Sequence, residues 1–300
     1  MTRAPIIWAT FSGVALTVLY TLLISGADGI TKFIAKSYAA PQLFALSGGI
    51  VAGLSLLGLL RGKGTRGLQT SCPEAMLIRS VATVSGTITF FHAFRLLPFA
   101  EVFLFIAMIP LLAALVSGPL LKEPVQSQVW GALIVGVVGI LFLFPSGIKT
   151  LESGHLIALL AAFCGTVSMV ASRFIGLRED NLLAQVLYPN LMLMLVMTCA
   201  LPFVFEPMSL HDLGWVIVYA VCLFAARWVL VAALRLLPAY VVTPLMNLQF
   251  LWMVVIGYLV FGERPAYGVF LGAVIVAGAG LWLIYLQIRT VDDSDLVPAE

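Results

Sequence analysis

Long apolar stretches separated by short polar segments run along the chain from near its start to about residue 288. Ten can be counted, at roughly 8–31, 41–60, 75–95, 100–120, 127–145, 155–175, 182–204, 213–235, 239–261 and 267–288. About 20 apolar residues at roughly 1.5 Å each cross a hydrocarbon core of about 30 Å. Inside that core the backbone must bond within its own segment, so stretches this long predict helices. Barrel strands would alternate apolar and polar residues, and these stretches do not. The pattern predicts an all-α integral membrane protein with ten transmembrane helices.

The ten stretches fall into two copies of five. Ala93-Phe94-Arg95-Leu96-Leu97-Pro98 returns with one change as Ala233-Leu234-Arg235-Leu236-Leu237-Pro238, 140 residues later. The same offset carries Glu123 onto Glu263. One inserted residue, Arg264, then maps Pro124 onto Pro265, Gly131 onto Gly272 and Gly139 onto Gly280. This predicts a first five-helix repeat over 1–150, a second over 151–290, and a disordered acidic tail over 291–300.

Composition agrees. Sixty-two percent of residues are hydrophobic and ten percent charged, with a mean hydropathy of +1.10; a soluble domain carries far more charge. The first stretch is too long, and too directly followed by amphipathic helix, to read as a signal peptide. Cys72, Cys164, Cys199 and Cys222 have no metal-binding spacing and read as inert small residues.

The distribution of charge changes the picture more than its sum. With ten spans both termini share a side. That side holds ten Lys and Arg, against five opposite, with Arg227 inside a span. The positive-inside rule places both termini in the cytoplasm. Five spans per copy turn the second copy over relative to the first: Arg95 falls outside and its mate Arg235 inside. Inverted repeats belong to transporters with a site near the midplane and alternating access by rocking halves.

Arg79 opens the third span, Ala-x-Arg-x-x-Pro follows it, and Glu123-Pro124 and Gly262-Glu263-Arg264-Pro265 precede Gly-rich fifth and tenth spans. In these features the chain resembles the EamA-type tandem repeats of the drug/metabolite transporter superfamily, over about 10–145 and 155–288. Among subgroups it looks most like bacterial exporters of amino acids, aromatic ones included. The resemblance implies residence in the inner (plasma) membrane and a small-molecule substrate. The offset of 140 finds Tyr219 opposite Arg79, so any role of that arginine is not doubled.

Charge within a span costs about 3 kcal/mol and needs a partner, water or a function. Arg227 lies eight residues from Arg235, roughly 12 Å along the helix. It is the candidate for a substrate carboxylate, through its fork of donors, or else a tie between helices. Its repeat mate is Thr87. Thr83 with Thr87, and Ser85 with Thr89 and His92, mark polar stripes on the third span, as substrate contacts or as bonds between helices. On the ninth span Thr243, Asn247, Leu251, Val254 and Tyr258 share a face, with Gln249 away from it. Asn247 is a further candidate contact, and Trp228 and Trp252 could pack on an apolar ligand.

Asp28 and Lys32 read as an i, i+4 ion pair near the end of the first span. Asp28 or Glu101 would carry protons only if buried. Glu123 and Glu263 read as acceptors for backbone N–H groups at the start of the next helix. Gly268/Gly272 and Ala132/Gly136 suit close helix contacts within one chain or between chains, so a monomer fits the pattern.

The expectation is a secondary transporter exporting amino acids, with Arg227, Asn247, Thr87, Thr83, Trp228 and Ser85 as substrate contacts. The alternatives are a multidrug or a nucleotide-sugar/sugar-phosphate carrier of the same superfamily. The chain has no Walker A sequence, HExxH or paired nucleophile and base, so an enzyme is not expected. Neither a cofactor nor a metal is expected, nor a nucleic-acid partner; the lipid bilayer is.

Overall fold

The computed structural model describes residues 3–61, 68–109, 112–113, 116, 127–142, 152–179, 182–236, 245–246 and 248–295, excepting some helical side chains, Arg227 and Trp228 among them. The described elements are helical. They are α1 (Arg3–Ala35), α2 (Ala40–Arg61), α3 (Pro73–Leu96), α4 (Phe99–Ala107) and α5 (Ser127–Leu141), then α6 (Ser153–Gly176), α7 (Leu182–Ala200), α8 (Leu210–Leu236), α9 (Leu248–Phe261) and α10 (Tyr267–Asp295). A short 3-10 turn, Leu201–Phe203, follows α7. Each helix falls on one of the ten apolar stretches. Four described segments are long and apolar enough to cross a membrane: Phe11–Ala35, Ala40–Leu57, Ser153–Gly176 and Leu183–Phe203.

α10 departs from expectation at its end. It runs through Asp292 and Asp293 to Asp295, into the stretch expected to be disordered. An established helix lengthens by one hydrogen bond per residue without a new nucleation cost, so polar residues can extend it past the apolar run.

The extensive helix contacts among the described residues each join residues before 150 to residues after 151. α3 packs along α6, α1 along α8, α2 along α7 and α5 along α10. Directions follow from the residues that meet. On α3 and α6, Arg79 lies beside Ser172 and Thr83 beside Ser168, with Gly86 beside Gly165 and Leu97 beside Gly154. That register is antiparallel. Gln42 bonds the backbone of Glu206 and Gly48 meets Asn190 and Met194, so α2 and α7 are also antiparallel. α1 and α9 run the same way: Ser25 reaches Gln249, Gly29 faces Ile256 and Lys32 meets Glu263.

Glycine sets the closest approach. A Cβ on Gly272 would lie 2.6 Å from the carbonyl oxygen of Gly139, so the glycine of the Gly268/Gly272 pair serves the α5–α10 contact inside one chain. Gly272→Ala should force these helices apart at a cost of about 1–3 kcal/mol. Gly278→Ala, with nothing within 4 Å of its Cβ, serves as the control. Thermal unfolding in detergent should show a lower midpoint for the first and not the second; equal midpoints would refute the contact.

Two buried clusters fill the bundle. One gathers Phe94, Phe99, Phe103, Leu104, Phe105 and Met253 around α4. The other gathers Ile34, Leu43, Phe44, Phe91, Leu193 and Tyr219 between α1, α2, α3, α7 and α8. Trp130 and Trp215 are exposed near helix starts, as an interfacial belt requires. The four cysteines are free.

Candidate functional site

Among the described residues, polar side chains collect at the two ends of the bundle, in a seam between α1 and α9, and along α3. At one end, which the charge rule assigns to the outside, Lys32 is almost wholly buried. Its Nζ lies 2.7 Å from Glu263 Oε1 and donates to the Leu97 carbonyl at 2.6 Å. Glu263 Oε2 accepts the Phe99 N–H at 2.7 Å. Three features aim the carboxylate there. Gly262 adopts φ +66, a conformation glycine takes without penalty, and ends α9. The Glu263 N–H then bonds the Gly257 carbonyl. Gly257, lacking a Cβ, leaves room for the carboxylate 3.2 Å from where that atom would sit.

This arrangement corrects two expectations. Lys32 pairs with Glu263 and not with Asp28, because the carboxylate and carbonyl gathered around it outmatch a single i−4 acid. Glu263 caps α4 of the other half and not α10, the helix that follows it. Beside them His155 Nδ1 accepts the Glu152 N–H, which leaves Nε2 facing Glu101 Oε2 at 3.4 Å. Glu123 lies outside the described residues.

At the opposite end Arg79 Nη1 donates to Ser172 Oγ and to Gln185 Oε1, tying α3 to α6 and α7. Glu179 accepts three hydrogen bonds, from Thr70 Oγ1, the Ser71 N–H and Ser71 Oγ. Partial burial pushes its carboxyl up, but these bonds outweigh it and hold the pKa below the ordinary glutamate value. A depressed carboxyl stabilises above its unfolded pKa, and that contribution is lost as pH falls through the folded pKa. Hydrogen exchange should therefore show weakening protection at 70–72 from about pH 6 to about pH 3. Glu179→Gln should flatten that dependence; an unaltered profile would refute it.

The third place lies within the bundle. Thr17, Thr21, Ser25 and Asp28 follow one another along one face of α1. The first three are wholly buried, and Asp28 is partly exposed. Gln249 Nε2 donates to Asp28 Oδ2 at 3.0 Å, Ser25 Oγ to the Gln249 carbonyl at 3.3 Å, and Trp252 Nε1 to Thr21 Oγ1 at 3.1 Å. Trp252 thus turns toward α1, and its long side chain points back along its own helix.

On the α9 face chosen with Asn247, Leu251 is 52% and Tyr258 56% exposed while Val254 packs against the buried cluster around α4; Gln249, off that face, is 8% exposed. Asn247 itself lies outside the described residues, as do Pro110, Thr243 and Pro244. Arg227 and Trp228 sit on α8, the helix packed most extensively on α1; their side chains lie outside the description.

The α3 candidates form contacts within the fold. Thr83 Oγ1 and Ser168 Oγ lie 2.7 Å apart across α3 and α6. Thr87 donates to the Thr83 carbonyl at 2.7 Å, and Thr89 to that of Ser85 at 2.8 Å. Such back-bonding satisfies a hydroxyl without a ligand. His92 is exposed.

Residues 152–286 match the EamA-like transporter family. Those residues form an EamA-like transporter domain. The match spans the second copy, where the resemblance read from the Arg-Leu-Leu-Pro turn at 235–238 and the Gly-Glu-Arg-Pro turn at 262–265 holds, and so does the reading as a transporter and not an enzyme. A protein of Rickettsia prowazekii (strain Madrid E), described as an S-adenosylmethionine uptake transporter, is 21% identical over 77% of this chain and 78% of its own length. A protein of the same description from Rickettsia bellii (strain RML369-C) is 22% identical over 75% and 77%. One solved crystal structure shares the fold with a TM-score of 0.57, at 20% identity, covering 94% of this chain and 98% of its own.

Alongside the EamA domain, the structure supplies what sequence reading missed, the Asp28–Gln249 and Lys32–Glu263 pairs. Nothing in local spacing links these residues. The signal that could have found them is the rarity of acid, amide and amine within apolar stretches.

Proposed function

We propose that the chain carries a small amino-acid-like metabolite across the plasma membrane by alternating access, through a site framed by α1, α3, α8 and α9. The observation that carries this reading is an interchange of helix pairs. The repeat maps α1–α5 onto α6–α10. Under that mapping the α3–α6 pair becomes α8–α1, α1–α9 becomes α6–α4, and α2–α8 becomes α7–α3, while α2–α7, α4–α9 and α5–α10 map onto themselves. Contacts of all these kinds are present. They support two five-helix repeats of inverted topology meeting about a pseudo-two-fold axis, the design of alternating-access carriers. The charge asymmetry supports both termini in the cytoplasm.

Arg227 is the proposed carboxylate ligand, with Trp228 and Asn247 as further contacts. Ser85 stays with Thr83 and Thr87 in the proposed wall on α3. The register of Tyr38 with Asp212 and of Phe33 with Trp215 supports a backbone level for Arg227 near residue 22 of α1. Asp28 then stands roughly 9 Å further along. Amino-acid export comes from the resemblance, and uptake of S-adenosylmethionine from the names of the relatives. Both substrates carry an α-amino acid group, and the gradient sets the direction of an alternating-access cycle. A second reading, export of cationic drugs, draws on Asp28 as an acid inside the membrane.

Reconstitution into liposomes with labelled amino acids, S-adenosylmethionine, sugar phosphates and cationic dyes tests the reading. Saturable movement of the amino-acid-like compounds is expected. Movement of sugar phosphates or dyes alone would overturn it.

A further inference from the structure

We propose that Asp28 is a cation-binding residue of the transport pathway, accepting the positively charged ammonium or sulfonium of the substrate. This rests on the reading of the chain as a carrier of amino-acid-like metabolites.

Asp28 is the acid within the four described segments long and apolar enough to span a membrane. It stands nine residues from Leu19, which at about 100° per residue is a half-turn away around the helix. Leu19, Leu22 and Phe11 are exposed on the outer side of α1. Asp28 therefore faces the interior. Thr17, Thr21 and Ser25 on its own stripe are sealed, yet Asp28 keeps some exposure.

An ionised carboxylate accepts about four hydrogen bonds. Among the described residues Asp28 accepts one, from Gln249 on Oδ2, and no cation pairs with it. The cation one turn away, Lys32, is held by Glu263 and the Leu97 carbonyl. The neighbouring cation is thus taken by Glu263, and among the described residues no bond reaches the second oxygen of Asp28. Gln249 fixes the carboxylate from the neighbouring helix, and Trp252, one turn further along α9, brings an indole to the same seam. A carboxylate held in this way suits an ammonium or sulfonium through charge-assisted hydrogen bonds. An intramembrane acid with spare acceptor capacity is a costly arrangement unless a partner or ligand completes it.

The test compares two matched pairs of labelled substrates in liposomes holding the full chain: S-adenosylmethionine against S-adenosylhomocysteine, and methionine against N-acetylmethionine. Each pair differs in one positive charge. The native protein should prefer the charged member at least about tenfold, which is about 1.4 kcal/mol. Asp28→Asn should erase the preference in one pair, which identifies the cation bound, while the neutral member changes little. Asp28→Glu should retain it. Should the asparagine variant fail to fold, Asp28→Ser carries the same comparison. Preference retained in both pairs by a neutral variant would overturn the role of Asp28 and leave the carrier reading standing. No movement of any compound by the native protein would overturn both.

Discussion

Replacing Glu263 with alanine should lower stability by about 3–5 kcal/mol, the usual cost of removing one partner of a buried ion pair. The lower part of that range is expected, because the Lys32 and Glu263 side chains are 9% and 20% exposed, respectively. Two groups lose their acceptor together, the Lys32 ammonium and the Phe99 N–H at the start of α4. Lys32 would keep the Leu97 carbonyl alone. The same residues join α1 and the α3–α4 turn to the α9–α10 turn, so the variant should also loosen that end of the bundle. A cysteine placed at Gly29, between α1 and Ile256, should then react faster with an impermeant thiol reagent added outside. Lys32→Met combined with Glu263→Gln should cost clearly less than the two single changes summed, since no buried charge is orphaned. A double variant costing the full sum would deny the pair its coupling.

Arg227→Gln should abolish transport of carboxylate-bearing substrates while leaving folded protein in the membrane. A guanidinium gives a carboxylate two parallel charge-assisted bonds, and glutamine offers a neutral amide in their place. Removing a charge-assisted bond costs about 1.5–3 kcal/mol of affinity, and loss of both should push binding beyond working concentrations. Arg227→Lys keeps charge without the fork and should fall between the two. The measurement is initial uptake rate in liposomes, alongside elution of the detergent-solubilised variant as a single species. Undiminished transport by the glutamine variant would remove Arg227 from the site.

The bounds of α2 and α6 were legible because hydrocarbon thickness and the interruption of apolar stretches set them directly. α2 was expected at 41–60 and spans Ala40–Arg61; α6 was expected at 155–175 and spans Ser153–Gly176. Which face of each helix turns inward was not legible. Leu251 and Tyr258 toward the outside are as apolar as Met253 and Gly257 inside, so no amphipathic contrast marks the interior. For that reason Gln249 was set aside in favour of the face with Asn247. Ion pairing failed in a related way: spacing along one helix reveals Asp28 and Lys32 as neighbours, but not a carboxylate 231 residues away that competes for the amine.

The packing also decides what can move as a unit. Because α1 adheres to α8 and α9, and α6 to α3 and α4, cutting the sequence at its midpoint does not divide the molecule into its mechanical parts. In the proposed cycle α1 would move with α8 and α3 with α6, each pair drawn from both copies. Duplication in the gene and articulation in the protein therefore run along different lines, and neither copy by itself could serve as a lever.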